Sequence, residues 1–167
     1  MNEALKCLEE CGSAYLEHID KVFTNFGMPM GPFTLADEVG LDVCNKVANN
    51  LYKGYGERAK PAKTISRLYE EQHLLGKKAG KGFYIYNEKG LKTSINTEAK
   101  LIKEQTKQFN HKEILDRCLN IMINEARLIL EEKIIDSEDN LDIAMIMGCG
   151  FPAFRGGLMK YAHSIKK

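Results

Sequence analysis

The chain has 167 residues, of which 44% are apolar and 28% charged, a composition typical of a globular protein with one ordinary domain or two small ones. Its 24 basic and 23 acidic residues nearly cancel, so it lacks the strong positive field that draws proteins onto nucleic acid or anionic membranes. No apolar run approaches the roughly 20 residues that span a bilayer, and the N-terminus does not have the order of a secretory signal. We therefore expect an intracellular protein with no membrane span and no nucleic-acid partner.

Apolar spacing in the first 90 residues predicts several helices followed by one β-like segment. Apolar residues three and four positions apart mark the inner face of a helix, and Gly27 and Gly40 are expected to end the second and third helices. Pro32 fits the first turn of the third helix, where its missing amide costs no hydrogen bond. The predicted elements are helices over 4–11, 17–26, 31–39, 41–51 and 61–72 and a β-like segment over 83–86.

The second half begins with a polar, lysine-rich connector over 91–110, within which 98–107 has some helical pattern. The apolar spacing of residues 115–126 then predicts a helix. Ser137 is expected to cap a further helix, because the acidic residues that follow it favour the exposed amides of a first turn. Gly150 is expected to lie at the end of that helix.

Comparison of the chain with itself reveals a repeat at an offset of 122 residues. Asn2-Glu3-Ala4 recurs as Asn124-Glu125-Ala126, and Gly27-Met28-Pro29 recurs as Gly150-Phe151-Pro152 after a slip of one residue. This alignment places Ala153 and Arg155 opposite Met30 and Pro32. The chain is therefore expected to hold two copies of one helical unit, a first repeat over 1–90 and a shorter second repeat over 111–167, joined by a linker over 91–110.

The residues that most often carry catalysis or bind metals form no recognisable motif. The five cysteines are scattered and contain no C-x-x-C pair, which favours small core residues in a reducing compartment over disulfides or a zinc site. The four histidines are isolated and are expected to be surface or capping residues. Paired carboxylates such as Glu9-Glu10 are adjacent in sequence, so on a helix they diverge and cannot share a proton. We predict no catalytic residue, no metal ligand and no cofactor-binding residue.

Two glycine-containing loops suggest anion binding but fit a simpler interpretation. The loop from Gly76 to Gly82 lacks the spacing and the hydroxyl residue of a nucleotide P-loop, so it is expected to be a turn between a helix and a strand with solvated lysines. Arg155 could stand at a helix start for anion binding, but a tight turn with a surface arginine is favoured. The sequence has no G-x-G-x-x-G motif for a dinucleotide.

The stretch from Gly27 to Phe33 is the strongest candidate for a binding site. Its two prolines and two glycines fix the chain direction, and the helix that follows would present its N-terminal amides beside an apolar Met and Phe surface. Such a surface suits a ligand with an acyl tail and a negative headgroup.

The same stretch resembles the C-terminal domain of 3-hydroxyacyl-CoA dehydrogenases. Residues 27–42 reproduce the family string Gly-x-Pro-x-Gly-Pro-Phe-x-Leu-x-Asp-x-Val-Gly-Leu-Asp, and residues 76–86 match Gly-Lys-Lys-x-Gly-x-Gly-Phe-Tyr-x-Tyr. Residues 148–157 are similar to the second repeat found in the multifunctional α chains of fatty acid β-oxidation. Two tandem copies indicate the multifunctional type, in which one chain combines hydratase and dehydrogenase.

The resemblance implies an all-α fold like that of the 6-phosphogluconate dehydrogenase C-terminal domain superfamily, with the two repeats packed as an internal pseudo-dimer. It also implies NAD-dependent oxidation of a 3-hydroxyacyl-CoA to the 3-ketoacyl-CoA. The family's catalytic histidine, glutamate and asparagine have no counterpart in this chain, and Arg117 stands where the second repeat would carry the asparagine. The acyl-CoA pocket wall is expected to include Met30, Gly31, Pro32, Phe33 and Leu35.

The leading hypothesis is the substrate-side and dimerisation portion of such an enzyme, inactive alone and without bound NAD, because the N-terminal Rossmann domain is missing. A thiolase subunit is a possible further partner, and the bacterial cytoplasm or the mitochondrial matrix is the expected setting. The alternative is a non-catalytic helical interaction scaffold. In the first case the surface over 28–35 is an open pocket wall, and in the second it is buried core or a partner contact.

Overall fold

A computed structural model describes residues 1–99 and 107–165 of the chain. The described residues form eight α-helices and one short hairpin, so the all-α prediction is confirmed. None of these helices is long and apolar enough to cross a membrane. In chain order the elements are α1 (Asn2–Cys11), α2 (Leu16–Phe26), α3 (Pro32–Val39), α4 (Leu41–Tyr55), α5 (Lys63–Ser66), β1 (Tyr84–Tyr86), β2 (Lys92–Ile95), α6 (His111–Glu131), α7 (Glu138–Cys149) and α8 (Leu158–Ser164).

The expected helix boundaries are reproduced where a capping residue marks them. Gly27 ends α2 and Gly150 ends α7, each in the left-handed conformation that favours glycine. Ser137 caps α7 by accepting a hydrogen bond from the Asn140 amide. The helix predicted over 61–72 is different: α5 covers one turn and continues as a π-helical turn over Arg67–Glu71.

The linker predicted over 91–110 contains a strand that the sequence did not reveal. Strand β2 pairs antiparallel with β1, with Tyr84 opposite Ile95 and Ile85 opposite Ser94. Its residues are mostly exposed, and only one is a strongly β-forming apolar residue, so neither alternation nor composition marked it. The possible helix over 98–107 lies largely outside the described residues.

Two hydrophobic clusters form the interior, and each repeat contributes to both. Ile114 and Cys118 of α6 are buried in the cluster formed mainly by α1, α2, α3 and the hairpin. Phe26 of α2 is buried in the other cluster with residues of α6, α7 and α8. Phe26 contacts Phe151 edge to face with ring centroids 5.7 Å apart. The repeats therefore share their cores.

The turns after α2 and α7 contact each other reciprocally. A Cβ atom on Gly27 would lie 3.0 Å from Cγ of Pro152, and a Cβ atom on Gly150 would lie 2.9 Å from Cγ of Pro29. Since Gly27 corresponds to Gly150 and Pro29 to Pro152, exchange of the two repeats maps one contact onto the other. The two repeats are therefore related by an approximate two-fold axis.

The helices that follow these turns are also equivalent, and they correct the sequence alignment. Asp20 accepts hydrogen bonds from the backbone amides of Phe33 and Thr34 at the start of α3. Asp142 accepts them from the amides of Met159 and Lys160 at the start of α8. The counterparts of Pro32 and Phe33 are thus Leu158 and Met159, not residues near Arg155. The alignment failed here because the second turn is longer and contains an extra 3-10 turn over Ala153–Arg155.

Arg155 lies between the repeats, so its interpretation as a surface residue of a tight turn was only half correct. The turn is present, but the guanidinium of Arg155 lies 4.0 Å from the Phe26 ring centroid. Its Nε also donates a hydrogen bond of 3.0 Å to the Phe26 carbonyl. Arg155 thereby joins the end of α2 to the second repeat.

Candidate functional site

The candidate site is the turn between α2 and α3. The side chain of Asp20 fixes the conformation of this turn. Gly31 lies against Asp20 so closely that a Cβ atom would be 2.3 Å from Cγ of that carboxylate. Asp20 Oδ1 accepts the Phe33 amide at 2.8 Å, and Oδ2 accepts both the Thr34 hydroxyl at 2.7 Å and the Tyr84 hydroxyl at 2.8 Å. The turn is therefore tied to the preceding helix and to the hairpin.

The amides at the start of α3 are not available to a ligand. A negative headgroup was expected to bind them, because helix N-termini attract anions. The buried carboxylate of Asp20 already occupies that position and accepts the amides of Phe33 and Thr34. A second anion there would meet a like charge in place of free donors, so this expectation was wrong.

The five residues predicted to wall an acyl-CoA pocket do not share one surface. Phe33 is fully buried and packs on Phe83 with ring centroids 5.0 Å apart, and Pro32 is also buried. Gly31 is buried against Asp20, whereas Met30 is half-buried and Leu35 is 39% exposed. Phe33 and Pro32 are therefore core residues of this chain, and the expectation that they face an open pocket is not met. The physical reason is that the hairpin packs over this face of α3.

Met30 and Gly31 do line a small cleft of about 260 Å³ beside the turn. Lys92 crosses it, since its Nζ donates to the Thr34 hydroxyl at 3.1 Å and lies 4.1 Å from the Tyr84 ring centroid. The side chains around the cleft are mostly polar, and two acidic and two basic ones balance in charge. They are Glu17, Asp20, Lys21, Thr24, Pro29, Met30, Gly31, Thr34, Tyr84 and Lys92.

Asp37 is a second buried carboxylate that the sequence did not single out. It is fully buried, and it accepts the amides of Phe83 and Tyr84 at 2.9 Å each and the Tyr86 hydroxyl at 3.1 Å. Burial raises the pKa of the Asp37 carboxyl to about 6, although the two amides and the hydroxyl act in the opposite direction. Asp37 fixes the start of the hairpin to α3 and is a structural group.

Asp37 also explains the glycines of the loop over 76–82. A Cβ atom on Gly82 would lie 1.9 Å from Asp37 Oδ1, and one on Gly76 would lie 2.5 Å from the Asp37 carbonyl oxygen. The neighbouring lysines pair with acidic side chains, Lys77 with Glu38 and Lys78 with Asp42. The expected helix-to-strand turn is confirmed, and its glycines serve close packing.

Two of the four histidines lie together, contrary to the expectation that all four are isolated. The rings of His18 and His111 stack with centroids 4.3 Å apart, and Tyr15 meets His18 edge to face. Burial, and then the neighbouring His111 and Lys21, lower the pKa of His18. Because 93 residues separate the two histidines, sequence spacing contained no signal for this pair.

The cysteines behave as core residues with one exception. Cys7, Cys11, Cys44 and Cys118 are buried, as predicted, whereas Cys149 is exposed at the end of α7. Within residues 1–99 and 107–165 no three His, Cys, Asp or Glu side chains converge as metal ligands.

These features define a duplicated helical domain whose candidate site is a turn held in place by a buried carboxylate. The family model for the C-terminal domain of 3-hydroxyacyl-CoA dehydrogenase matches residues 1–86. Because the match covers more than half of the chain, this chain belongs to that family.

A solved structure agrees with the family match. The chain is similar to the dehydrogenase part of multifunctional enzyme 1 from C. elegans, with 32% sequence identity and a TM-score of 0.59. The similarity covers 81% of this chain and 31% of that chain. This chain therefore spans about a third of the length of the relative.

Proposed function

We propose that this chain supplies the substrate-side and dimerisation part of a 3-hydroxyacyl-CoA dehydrogenase in fatty acid β-oxidation. The observation that carries the proposal is the family match over residues 1–86, which includes the turn organised by Asp20. The family is NAD-dependent, so hydride transfer also needs a nicotinamide-binding domain and an acid/base residue held in register. We place both outside residues 1–167 and expect this chain alone to be inactive.

Met30 and Leu35 are the side chains of the predicted pocket wall that remain open to contact, and the buried Gly31 borders the small cleft beside Met30. Met30 offers a flexible apolar surface that suits an acyl tail. Pro32 and Phe33 support this surface from the core, and they would affect a ligand only through the position of the turn. A thiolase subunit and a setting in the bacterial cytoplasm or the mitochondrial matrix belong to the same proposal.

Calorimetric titration with acetoacetyl-CoA and, separately, with NADH tests this function. We expect weak binding of acetoacetyl-CoA, no binding of NADH, and weaker acetoacetyl-CoA binding in Met30→Ala. Met147→Ala is the matched control, because Met147 is 81% exposed on α7 and does not line the cleft beside the turn. Tight NADH binding would contradict the placement of the nucleotide site on another domain.

The alternative of a non-catalytic interaction scaffold has its own support. Several large apolar side chains of α4 and α7 are exposed, among them Val43 at 43% and Met147 at 81%. Exposed apolar side chains mark a protein contact where they form a contiguous patch. Absence of binding to both ligands in the titration would favour this alternative.

A further inference from the structure

The stacked pair of His18 and His111 joins the two repeats. His18 belongs to α2 in the first repeat, and His111 is the first residue of α6, where the second repeat begins. Their ring centroids lie 4.3 Å apart with 28° between the ring planes. Tyr15, in the 3-10 turn before α2, meets His18 edge to face. Three elements of the fold therefore meet at this one contact.

The pair lies beside the point where α6 enters the shared interior. Ile114, one turn after His111, is fully buried in the cluster formed mainly by the first repeat. Leu115 packs against both hydrophobic clusters. The stack thus lies at the end of α6 from which its buried face starts, so a change in the stack acts on the contact between α2 and α6.

The surroundings of His18 favour the neutral imidazole. Its Nε2 atom is buried and has no hydrogen-bond partner among residues 1–99 and 107–165. In the neutral ring Nε2 can be the nitrogen without a proton, but in the imidazolium it becomes an N–H donor. A buried donor of a charged group without an acceptor is unfavourable. The lowered pKa of His18 agrees with this geometry.

The charges around His18 also oppose its protonation. The charges that act on His18 are those of His111 and Lys21, and both groups are basic. Tyr15 contributes an aromatic ring to the contact. If both imidazoles took up protons, two positive charges would lie in rings whose centroids are 4.3 Å apart. The stacked arrangement is therefore a favourable one only while the rings are neutral.

The acidic side chains nearest to the pair along α2 and α6 have other partners. Glu17 of α2 lies 3.9 Å from Lys21. On α6, Glu113 belongs to the capping box at the start of the helix, and Asp116 pairs with Lys112. His18 would therefore gain its charge without a paired carboxylate among the residues that the structure describes.

The neighbouring contact between α1 and α6 does not respond to pH in this way. Arg117 of α6 lies 2.6 Å from Glu3 and 2.7 Å from Glu10. Its guanidinium lowers the pKa of Glu10 to about 2, so this pair stays charged wherever histidine titrates. The ion pairs of Arg117 thus hold α6 on α1 at acid and at neutral pH.

We propose that His18 and His111 form a pH-sensitive clasp between the two repeats. While both rings are neutral, they stack and hold α2 against the start of α6. As the pH falls below about 6.5, the range in which histidine takes up protons, the rings separate and the first turn of α6 loosens. Arg117 keeps the rest of the helix on α1, so the opening is local.

The direction of the response follows from the protons that the two states bind. Because the pKa of His18 is lowered, the unfolded chain takes up this proton at a higher pH than the folded chain does. The stabilisation by the neutral stack is complete above the ordinary histidine pKa of about 6.5 and is lost as the pH falls below it. The raised pKa of Asp37 acts in the opposite direction, so variants must be compared at equal pH.

The substitution His18→Phe tests the clasp, since phenylalanine keeps a ring over His111 but cannot be protonated. Melting temperatures of the original chain and of the variant are compared at pH 7.5 and at pH 5.5. We expect acidification to lower the melting temperature of the original chain by about 3 °C or more relative to the variant. His73→Asn is the matched control and should follow the original chain. His73 is exposed, and asparagine adopts its positive φ of 54° readily.

Nuclear magnetic resonance of the original chain tests the local opening without any substitution of the clasp. The Cε1 protons report the titration of the four histidines, and the spectrum of His18→Phe identifies the signal of His18. We expect His18 to titrate below the ordinary histidine range. The amides of residues 111–115 should shift with it, whereas the amides of α1 should stay constant.

Three results would overturn the proposal. They are an ordinary titration of His18, amides of residues 111–115 that do not follow it, and equal changes in the melting temperatures of the original chain and His18→Phe. None of these measurements involves acyl-CoA, so their outcome is independent of the proposed function.

Discussion

Asp20 and Asp142 lie at equivalent positions in the two repeats, and each caps the helix that follows its turn. In both cases one oxygen accepts the amide of the second helical residue and the other accepts the amide of the third. Both carboxylates are buried, and in both repeats a glycine, Gly31 or Gly157, leaves room for the side chain. The two repeats have different residues around this contact but the same geometry.

Loss of the Asp142 cap should destabilise the chain strongly. Asp142→Ala leaves the buried amide of Met159 without its acceptor, so we expect the free energy of unfolding to fall by about 2–4 kcal/mol. Urea denaturation measures the change. Asp139→Ala is the control on the same helix, because its ion pair with Lys160 is exposed and should contribute less than about 1 kcal/mol. Equal effects of the two substitutions would contradict the role given to Asp142.

Asp37 should make stability fall as the pH rises from about 4 to about 6. Its pKa is raised from 3.8 to about 6 by burial, so the folded state holds this proton more tightly than the unfolded state does. The stabilisation is complete below the unfolded pKa and is lost as the pH rises through the folded pKa. Urea midpoints of the original chain and of Asp37→Asn, measured from pH 4 to pH 7, isolate the contribution.

The expected size of this effect is up to about 3 kcal/mol, which corresponds to a pKa difference of about two units. Asp37→Asn has no titrating group, so the stability of the original chain relative to the variant should decrease across this pH range. A constant difference between the two proteins from pH 4 to pH 6 would show that the pKa of Asp37 is not raised.

Replacement of Gly82 and of Gly54 by alanine should change the stability of the chain in opposite directions, because the space around the added Cβ atom differs. Gly82→Ala would place a Cβ atom 1.9 Å from Asp37 Oδ1, so we expect a loss of about 3 kcal/mol or more through displacement of a buried carboxylate. Gly54 lies within α4 with no atom within 4 Å of a Cβ position, and Gly54→Ala should stabilise by about 0.5–1 kcal/mol. Thermal denaturation of both variants checks the signs.

Arg155 should be poorly replaced by lysine. A lysine keeps the charge, but it cannot stack a planar group on Phe26 while it donates to the Phe26 carbonyl. We expect Arg155→Lys to lower the free energy of unfolding by about 1–2 kcal/mol. Arg67→Lys is the control, because Arg67 makes an exposed ion pair with Glu71. Equal stabilities of Arg155→Lys and the original chain in urea would mean that Arg155 contributes only its charge.

The parts of this fold that sequence could predict are those set by neighbours along the chain. Helices α1, α2 and α7 follow from apolar spacing and from caps such as Gly27 and Ser137, which act within one turn. The repeat itself was visible because matching residues keep one offset over most of its length. The sequence also revealed the family through the string around Gly31.

The parts that sequence could not predict depend on contacts between distant residues. Asp37 holds the amide of Phe83, which is 46 residues away, and nothing near Asp37 distinguishes it from a solvated acid. Phe33 was read as a ligand surface because a helix pattern alone does not say which neighbour covers it. Strand β2 was missed for the same reason, since its partner β1 gives it its conformation.

The shared hydrophobic cores of the two repeats determine how the chain unfolds. Phe26 is part of the cluster centred on the second repeat, and Ile114 is part of the cluster centred on the first. Neither repeat can open without exposing apolar side chains of the other. The duplicated chain should therefore unfold as one cooperative unit with a single transition, although its sequence reads as two domains in succession.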